Sequence, residues 1–204
     1  MKKSQLIYQY IREQGAVSKQ DIVIGLGLSL PTITQNLNNL AELGLIDTSK
    51  KISNTGGRNA TAYSYIEKAR YAVGLYLNRH HINCVAVDLS GNVISLIRVR
   101  ENFDLNDDNY LRKIGETVEE VKKDTGLSDD RFLGVGIAVQ GLISDDGERV
   151  TYGLTLNFTG VTRADIAKYI PYHNRLFHDS AAAGYAEVWD RNDLDDAFYL
   201  SLSN

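Results

Sequence analysis

Two patterns follow one another in this chain and predict an α/β protein built in two parts. From Lys3 to Ile66, three short amphipathic helices lead into a glycine-rich hairpin; from Tyr71 the order becomes three strands, helix, strand, helix, strand, helix, strand. The first pattern reads as a winged helix-turn-helix over residues 1–68, and the second as one ribonuclease H-like or actin-like lobe over residues 69–204. Charge divides the chain in the same place. Residues 1–70 carry nine Lys and Arg against five acids, whereas the remainder carries thirteen against twenty-one, within a total net charge of −4. Only the front part is electrostatically suited to a phosphate-rich partner. Its surplus is modest, so specific binding to double-stranded DNA is expected to need a homodimer on two half-sites.

In KSQLIYQYIREQG, Leu6, Ile7, Tyr10 and Ile11 recur on one helical face and Gly15 ends the turn. Ser18 opens a second helix, with Asp21 three residues on complementing the positive helix end; this helix is predicted to stop near Gly25. The third, SLPTITQNLNNLAELG, takes Ser29 as its capping residue, tolerates Pro31 in its first turn and closes at Gly44. Its buried stripe is Ile33, Leu37 and Leu40. That leaves Thr34, Gln35, Asn38 and Asn39 facing outward, with Ser29 and Thr32 near the N-terminal end. Gln and Asn pair bidentately with adenine and Thr meets thymine methyls, so this face suits base edges in a major groove. KKISNTGGRNATAYSYI then reads as the wing, with Arg58 beside Gly56 and Gly57 placed to enter a minor groove or hold a phosphate. The alternative is a helical hairpin domain that binds protein.

The second part opens with YAVGLYLN, HINCVAVD and NVISLIRVRE as an antiparallel meander, LSGN forming a tight turn. A helix over 108–124 carries the stripe Leu111, Ile114, Val118 and Val121. FLGVGIAVQG reads as a buried strand of a sheet covered on both faces. TRADIAKYI is a short helix, RLFHD a strand, SAAAGYAEVWD a helix and DAFYLSLS a last strand. The single Cys84 forms no intrachain disulfide and reads as a small buried hydrophobe. Adjacent His80 and His81 point in opposite directions on a strand, which argues against a shared metal. With no apolar signal core and no run approaching a membrane span, the expectation is a cytoplasmic protein with no membrane partner.

Taken together, SLPTITQNLNNLAELGLI, TGGRNATAY, VGLYLNRHHINCVAVDLSGNVI, GVGIAVQGLIS and LFHDSAAAGYAE resemble the ROK family of repressors and sugar kinases, in particular its winged-helix regulator branch. The family's kinases hold nucleotide phosphate with a DxGGT-type loop. The resemblance sets Tyr76 at its Asp, Asn78 and Arg79 at its glycines and His80 at its Thr, so the open backbone of that loop is replaced. GVGIAVQG has the wrong spacing for GxGxxG and lacks the lysine of a P-loop. The implied protein is therefore not an enzyme and needs no cofactor.

The sugar side is better kept. The family's Asn-Asp pair falls on His178 and Asp179, and Asp179 retains the capacity to accept hydrogen bonds from a sugar. Gln140 and Gly141 correspond to a pocket wall, and Asn157 to another sugar-facing position. The plain structural reading of Asp179 is a helix cap. The resemblance further implies a second lobe with a structural zinc site, and the chain is expected to stop before it. The function implied is a sequence-specific transcriptional regulator, in the repressor sense, that responds to a sugar or sugar phosphate. The alternatives are a sugar kinase with an accessory DNA-binding domain, and a constitutive DNA-binding fragment with no effector response.

Overall fold

The computed structural model describes residues 2–52 and 60–188. The expected hairpin tip with Gly56, Gly57 and Arg58, and the expected last strand DAFYLSLS, lie outside the described residues. The chain divides after Arg70 into two compact units.

In the first unit, α1 (Lys3–Gln14), α2 (Lys19–Leu26) and α3 (Leu30–Glu42) precede four short strands. These are β1 (Ile46–Asp47), β2 (Lys51–Ile52), β3 (Ala60–Thr61) and β4 (Ser64–Tyr65). β1 pairs with β4 and β2 with β3, both antiparallel, and Val17 bridges to Tyr63. Ile7, Ile11, Val17, Ile22, Ile33, Leu37, Leu40 and Ile46 make the core. Leu6, expected on the buried face of α1, is exposed at its margin.

Ser18 caps α2 through a reciprocal box: its hydroxyl accepts the Asp21 N–H at 3.2 Å, and the Asp21 carboxylate accepts the Ser18 N–H at 2.8 Å. The helix does not stop at Gly25. It continues to Leu26 and is closed by Gly27 in the left-handed region, φ 62°. Gly25 is needed for another reason: a Cβ there would collide with the Tyr10 ring, which crosses the helix as the Tyr10 hydroxyl donates to the Asp21 carbonyl at 3.3 Å. Ser29 holds the N-cap place of α3 without capping it. No backbone N–H reaches its side chain, and its hydroxyl instead bonds the Thr32 hydroxyl at 2.9 Å.

The second unit is built on a five-stranded mixed sheet. Its strands are β5 (Tyr71–Leu77), β6 (His81–Asp88), β7 (Val93–Arg100), β8 (Phe132–Val139) and β11 (Asn174–His178), in the order β11-β8-β5-β6-β7. β5, β6 and β7 form an antiparallel meander, while β8 and β11 add on in parallel. A small antiparallel pair, β9 (Leu142–Ile143) and β10 (Val150–Tyr152), was not expected from the sequence, because its strands are too short to show a period. α4 (Asp108–Asp124), α5 (Arg163–Ile166) and α6 (Asp179–Val188) are the α-helices described in this unit.

One sheet face packs on α4, whose stripe Leu111, Ile114, Val118 and Val121 is buried against Val73, Leu75, Ile82, Cys84, Val135 and Ile137. β8 is not covered on both faces among the described residues. Val135, Ile137 and Val139 are buried, whereas Gly136 and Ala138 between them line an open groove on the other side. Both sets are apolar, so small residues on the open side imitate an uninterrupted buried run. Two polar clamps hold the covered side. Lys122, 7% exposed, pairs with Asp129 at 2.8 Å and donates to the Tyr172 hydroxyl at 2.9 Å. At the start of α4, Asp108 accepts from Lys168 at 2.6 Å and from the Tyr169 hydroxyl at 2.8 Å.

Two outcomes follow from this packing. Replacing Gly25 with Ala drives the new methyl into the Tyr10 ring and is expected to cost about 1–3 kcal/mol in chemical denaturation. The hydrogen bonds from Lys168 and then Tyr169 lower the Asp108 carboxyl from its ordinary 3.8 to about 2. A depressed carboxyl stabilises the fold above its unfolded value, and the contribution is lost as pH falls through the folded one. Thermal unfolding followed from pH 5 downward is therefore expected to show a loss between about pH 4 and 2 that is reduced in Asp108→Asn.

Candidate nucleic-acid interface and ligand cleft

In the first unit, the 3.6-residue period of α3 sends Ile33, Leu37 and Leu40 into the core and leaves Gln35, Asn38 and Asn39 exposed, with Thr32 and Thr34 half-buried beside them. Gln35 and Asn38 thus share a free polar face. Thr32 is less free, since its hydroxyl is shared with Ser29 and its carbonyl accepts from the Asn36 amide at 2.8 Å. Arg58 lies outside the described residues. The sequence reading passed over a second feature: Lys19 and Gln20, at the start of α2, line a cavity of about 310 Å³ with Leu30, Thr61 and Tyr63. The Ser18 capping box was the available signal, because it fixes Lys19 and Gln20 in the first helical turn, where backbone N–H groups face outward. Ile24 and Leu30 are exposed apolar residues of this unit, at 72% and 51%.

In the second unit, strand register lays out the open sheet face in rows. Phe177, Ala138, Tyr76, Asn83 and Arg98 lie directly opposite one another across all five strands. The next row toward the other end is Arg175, Gly136, Gly74, Val85 and Leu96. Gly74, Gly136 and Ala138 raise no bulk between the larger Tyr76, Val85 and Phe177, and the resulting groove has a volume of about 550 Å³.

At the end of the groove where β5, β8 and β11 finish, Gln140 donates its amide to the Tyr76 hydroxyl at 3.2 Å. Burial, and then the negative charge of Asp179, push the Tyr76 phenol above its ordinary pKa. His178 closes β11, and its Nδ1 lies 3.6 Å from the Asp179 carboxylate. Asp179 begins α6 and accepts the Ser180 N–H at 2.8 Å, so one of its oxygens already serves the helix start. Tyr76, Gln140, His178 and Asp179 are thus linked by contact or by charge.

Gly141 and Asn157 belong to a neighbouring wall. Gly141 is buried against the Tyr152 carbonyl and the Phe158 ring, a place with no room for a side chain. Asn157 is exposed in a turn with a left-handed backbone, φ 54°. Tyr76 was passed over as a site residue, although the two-residue period of β5 puts it on the same face as Gly74.

The turn between β5 and β6 differs from an open phosphate loop. The Asn78 side-chain oxygen accepts the N–H groups of His80 at 3.0 Å and His81 at 2.9 Å, so both donors are engaged within the chain. Arg79 reaches across to the Thr155 carbonyl at 2.7 Å, tying this turn to the wall that carries Asn157.

No family model matches the chain. The DNA-binding transcriptional dual regulator NagC of Escherichia coli K12 is 23% identical over 167 residues, which cover 73% of this chain and 36% of that protein. The N-acetylglucosamine repressor of Shigella flexneri matches to the same extent. Among solved structures, a ROK family transcriptional regulator, homologous to the Escherichia coli MLC protein, superimposes with a TM-score of 0.69 at 19% identity, over 92% of this chain and 48% of its own. The chain is homologous to the ROK-family repressors. It spans about a third of the length of the curated relatives it matches, 36%. The α/β fold with a mixed sheet is that of the ROK regulator. Among the described residues, no helix is long and apolar enough to cross a membrane.

The hydrogen bond between Tyr76 and Gln140 has a measurable weight in the second unit. Tyr76→Phe removes the acceptor of a half-buried amide and is expected to cost about 1 kcal/mol in denaturant unfolding, whereas Gln140→Ala in the same background adds little.

Proposed function

We propose that this chain is the DNA-reading and effector-sensing part of a ROK-type transcriptional repressor. In this reading the first unit is a winged helix-turn-helix that lays α3 in a major groove. Ser29, Thr32, Thr34, Gln35 and Asn38 meet the DNA; Gln35 and Asn38 read base edges, and Lys19, Gln20 and Arg58 hold phosphates. The second unit is the sensing lobe. A sugar or sugar phosphate is taken by Asp179 and His178 beside Tyr76 and Gln140, with Gly141 and Asn157 in the adjoining wall. Two copies bind two half-sites, and the ligand changes operator affinity by preferring one arrangement of the dimer. No reaction is catalysed.

The observation that carries this reading is the division of α3 into a buried Ile33-Leu37-Leu40 stripe and a free Gln-Asn face, in a chain homologous to repressors. Selection of duplexes from a randomised library by the purified protein is expected to enrich a motif of two symmetric half-sites. Gln35→Ala and Asn38→Ala should each lose about 1–3 kcal/mol of discrimination at one base position, and Arg58→Ala should weaken all sequences alike. Uniform losses from all three substitutions would count against base reading by α3.

One contact favours a second reading. Because Asp179 already accepts the Ser180 N–H, it is also a sufficient helix-start residue, as in a constitutive DNA-binding protein with no effector. A thermal-shift screen of hexoses and their phosphates separates the two. In the sensing reading a ligand raises Tm and Asp179→Asn abolishes the shift, while the substitution itself costs no more than about 1 kcal/mol through the helix dipole.

A further inference from the structure

The groove on the open sheet face is apolar along most of its length and polar at one end. Gly74 of β5, with Gly136 and Ala138 of β8, makes its floor. Val85 and Leu96 stand on the β6–β7 side, and Phe177, Ala182 and Tyr185 on the side of β11 and α6. Leu96 and Tyr185 are 66% and 69% exposed, so each rim presents a large apolar side chain to solvent, as ligand grooves do. The polar side chains that the sheet lends to the lining are Tyr76 and Asn83, both in the row nearest the carboxyl ends of β5, β8 and β11.

Tyr76 joins this groove to the cleft. Its ring lines the groove, while its hydroxyl accepts from Gln140 within reach of the Asp179 charge. α6 makes the same connection, since Asp179 heads the helix whose later turns bring Ala182 and Tyr185 to the groove. The rise from Asp179 to Tyr185 is roughly 9 Å along the helix axis. One pyranose ring falls short of that span, and two joined rings fill it. The volume of about 550 Å³ is likewise that of a pocket for a molecule larger than a lone hexose. A free sugar also has the wrong chemistry for the groove itself, because hydroxyls laid against carbon lose their hydrogen bonds to water and gain none. A flat aromatic ring suits it: the glycine floor admits a close approach, and Phe177 and Tyr185 offer ring contacts from the side.

We infer that the effector is an aryl glycoside, its sugar held by Asp179 and His178 and its aromatic aglycone laid along Gly74, Gly136 and Ala138 beside Phe177 and Tyr185. This assignment rests on the sensing reading, which places a sugar at Asp179, and adds the class of molecule that carries the sugar. The polar cluster recognises hydroxyls, and the groove supplies affinity by taking the aglycone out of water.

The test is isothermal titration calorimetry of the full 204-residue chain with glucose, galactose and mannose, each against its phenyl glycoside, and with phenol alone. A phenyl glycoside is expected to bind about tenfold or more tightly than its parent sugar. Ala138→Leu, which raises the groove floor on an open face, should bring that glycoside down to the level of the parent. Tyr185→Ala should weaken the glycoside severalfold and leave the fold intact, since the side chain is largely exposed. A sugar that binds while its phenyl glycoside gains nothing overturns the inference and leaves the sensing reading standing. The inference is equally overturned by a gain that survives in folded Ala138→Leu, or by phenol binding as tightly as the glycoside. A dimer in sedimentation that Leu96→Lys disperses would put a second copy on the groove and overturn it too. If no sugar and no glycoside binds, or if Asp179→Asn binds the glycoside undiminished, the sensing reading falls and the inference with it.

Discussion

The parallel ladder between β5 and β8 is the constraint on which the second unit depends. It joins segments far apart in sequence, and its register sets Gly74 opposite Gly136 and Tyr76 opposite Ala138. Loop closure over such a distance costs entropy that only a well-buried pairing offsets, and the covered face supplies it through Val73, Leu75, Val135 and Ile137. Once this register is set, everything at the strand ends is set with it. Tyr76 comes within reach of Gln140, and β11, extending the sheet from β8, delivers His178 and Asp179 to the same end. A slip of one residue would turn Tyr76 into the core and Leu75 into the groove. The cleft is thus a by-product of sheet register, at the carboxyl ends of parallel strands where α/β sheets commonly receive ligands.

The polar interactions divide into two kinds. Those on the covered side are self-contained: Lys122 is satisfied by Asp129 and Tyr172, and Asp108 by Lys168 and Tyr169. Each pins a helix to the layer beside it, and the buried Lys122 in particular would be expensive to leave without its partners. Those on the open side are unfinished. Arg98 and Arg100 lack a carboxylate among the described residues; in the first unit, separately, the polar face of α3 spends only part of its hydrogen-bonding capacity within the chain. Satisfied networks hold a fold together, whereas unspent donors on a rigid element are where recognition is built.

Periodic features were the most legible in the sequence. The stripes of α3 and α4 could be read directly, because every third or fourth residue is apolar and the intervening ones are not. The Ser18–Asp21 box followed from residue type and spacing. What failed did so for local reasons. Gly25 looks like a terminator, yet its role is to let Tyr10 lie against α2, a contact between segments that spacing alone does not encode. Ser29 has the right chemistry for a cap, but a neighbouring hydroxyl competed for it. Gly136 and Ala138 passed as core because pattern reading records apolar character and not size. Of the cleft, Gln140, His178 and Asp179 were named in advance through resemblance, whereas Tyr76 entered only as a replaced residue, its partnership with Gln140 being visible only once strand pairing is known.

The Asn78 turn fixes the electrostatic character of that end of the sheet. A backbone amide cradle reads an anion by direction at contact distance, and it is nearly indifferent to dissolved salt because its dipoles fall off steeply. With both amides folded onto Asn78, what remains is full charge on long, solvent-facing guanidinium groups. Such charge attracts from as far as the Debye length, roughly 8 Å at physiological ionic strength, and weakens as that length shrinks. That end of the sheet therefore presents a long-range, salt-dependent positive field in place of oriented backbone dipoles.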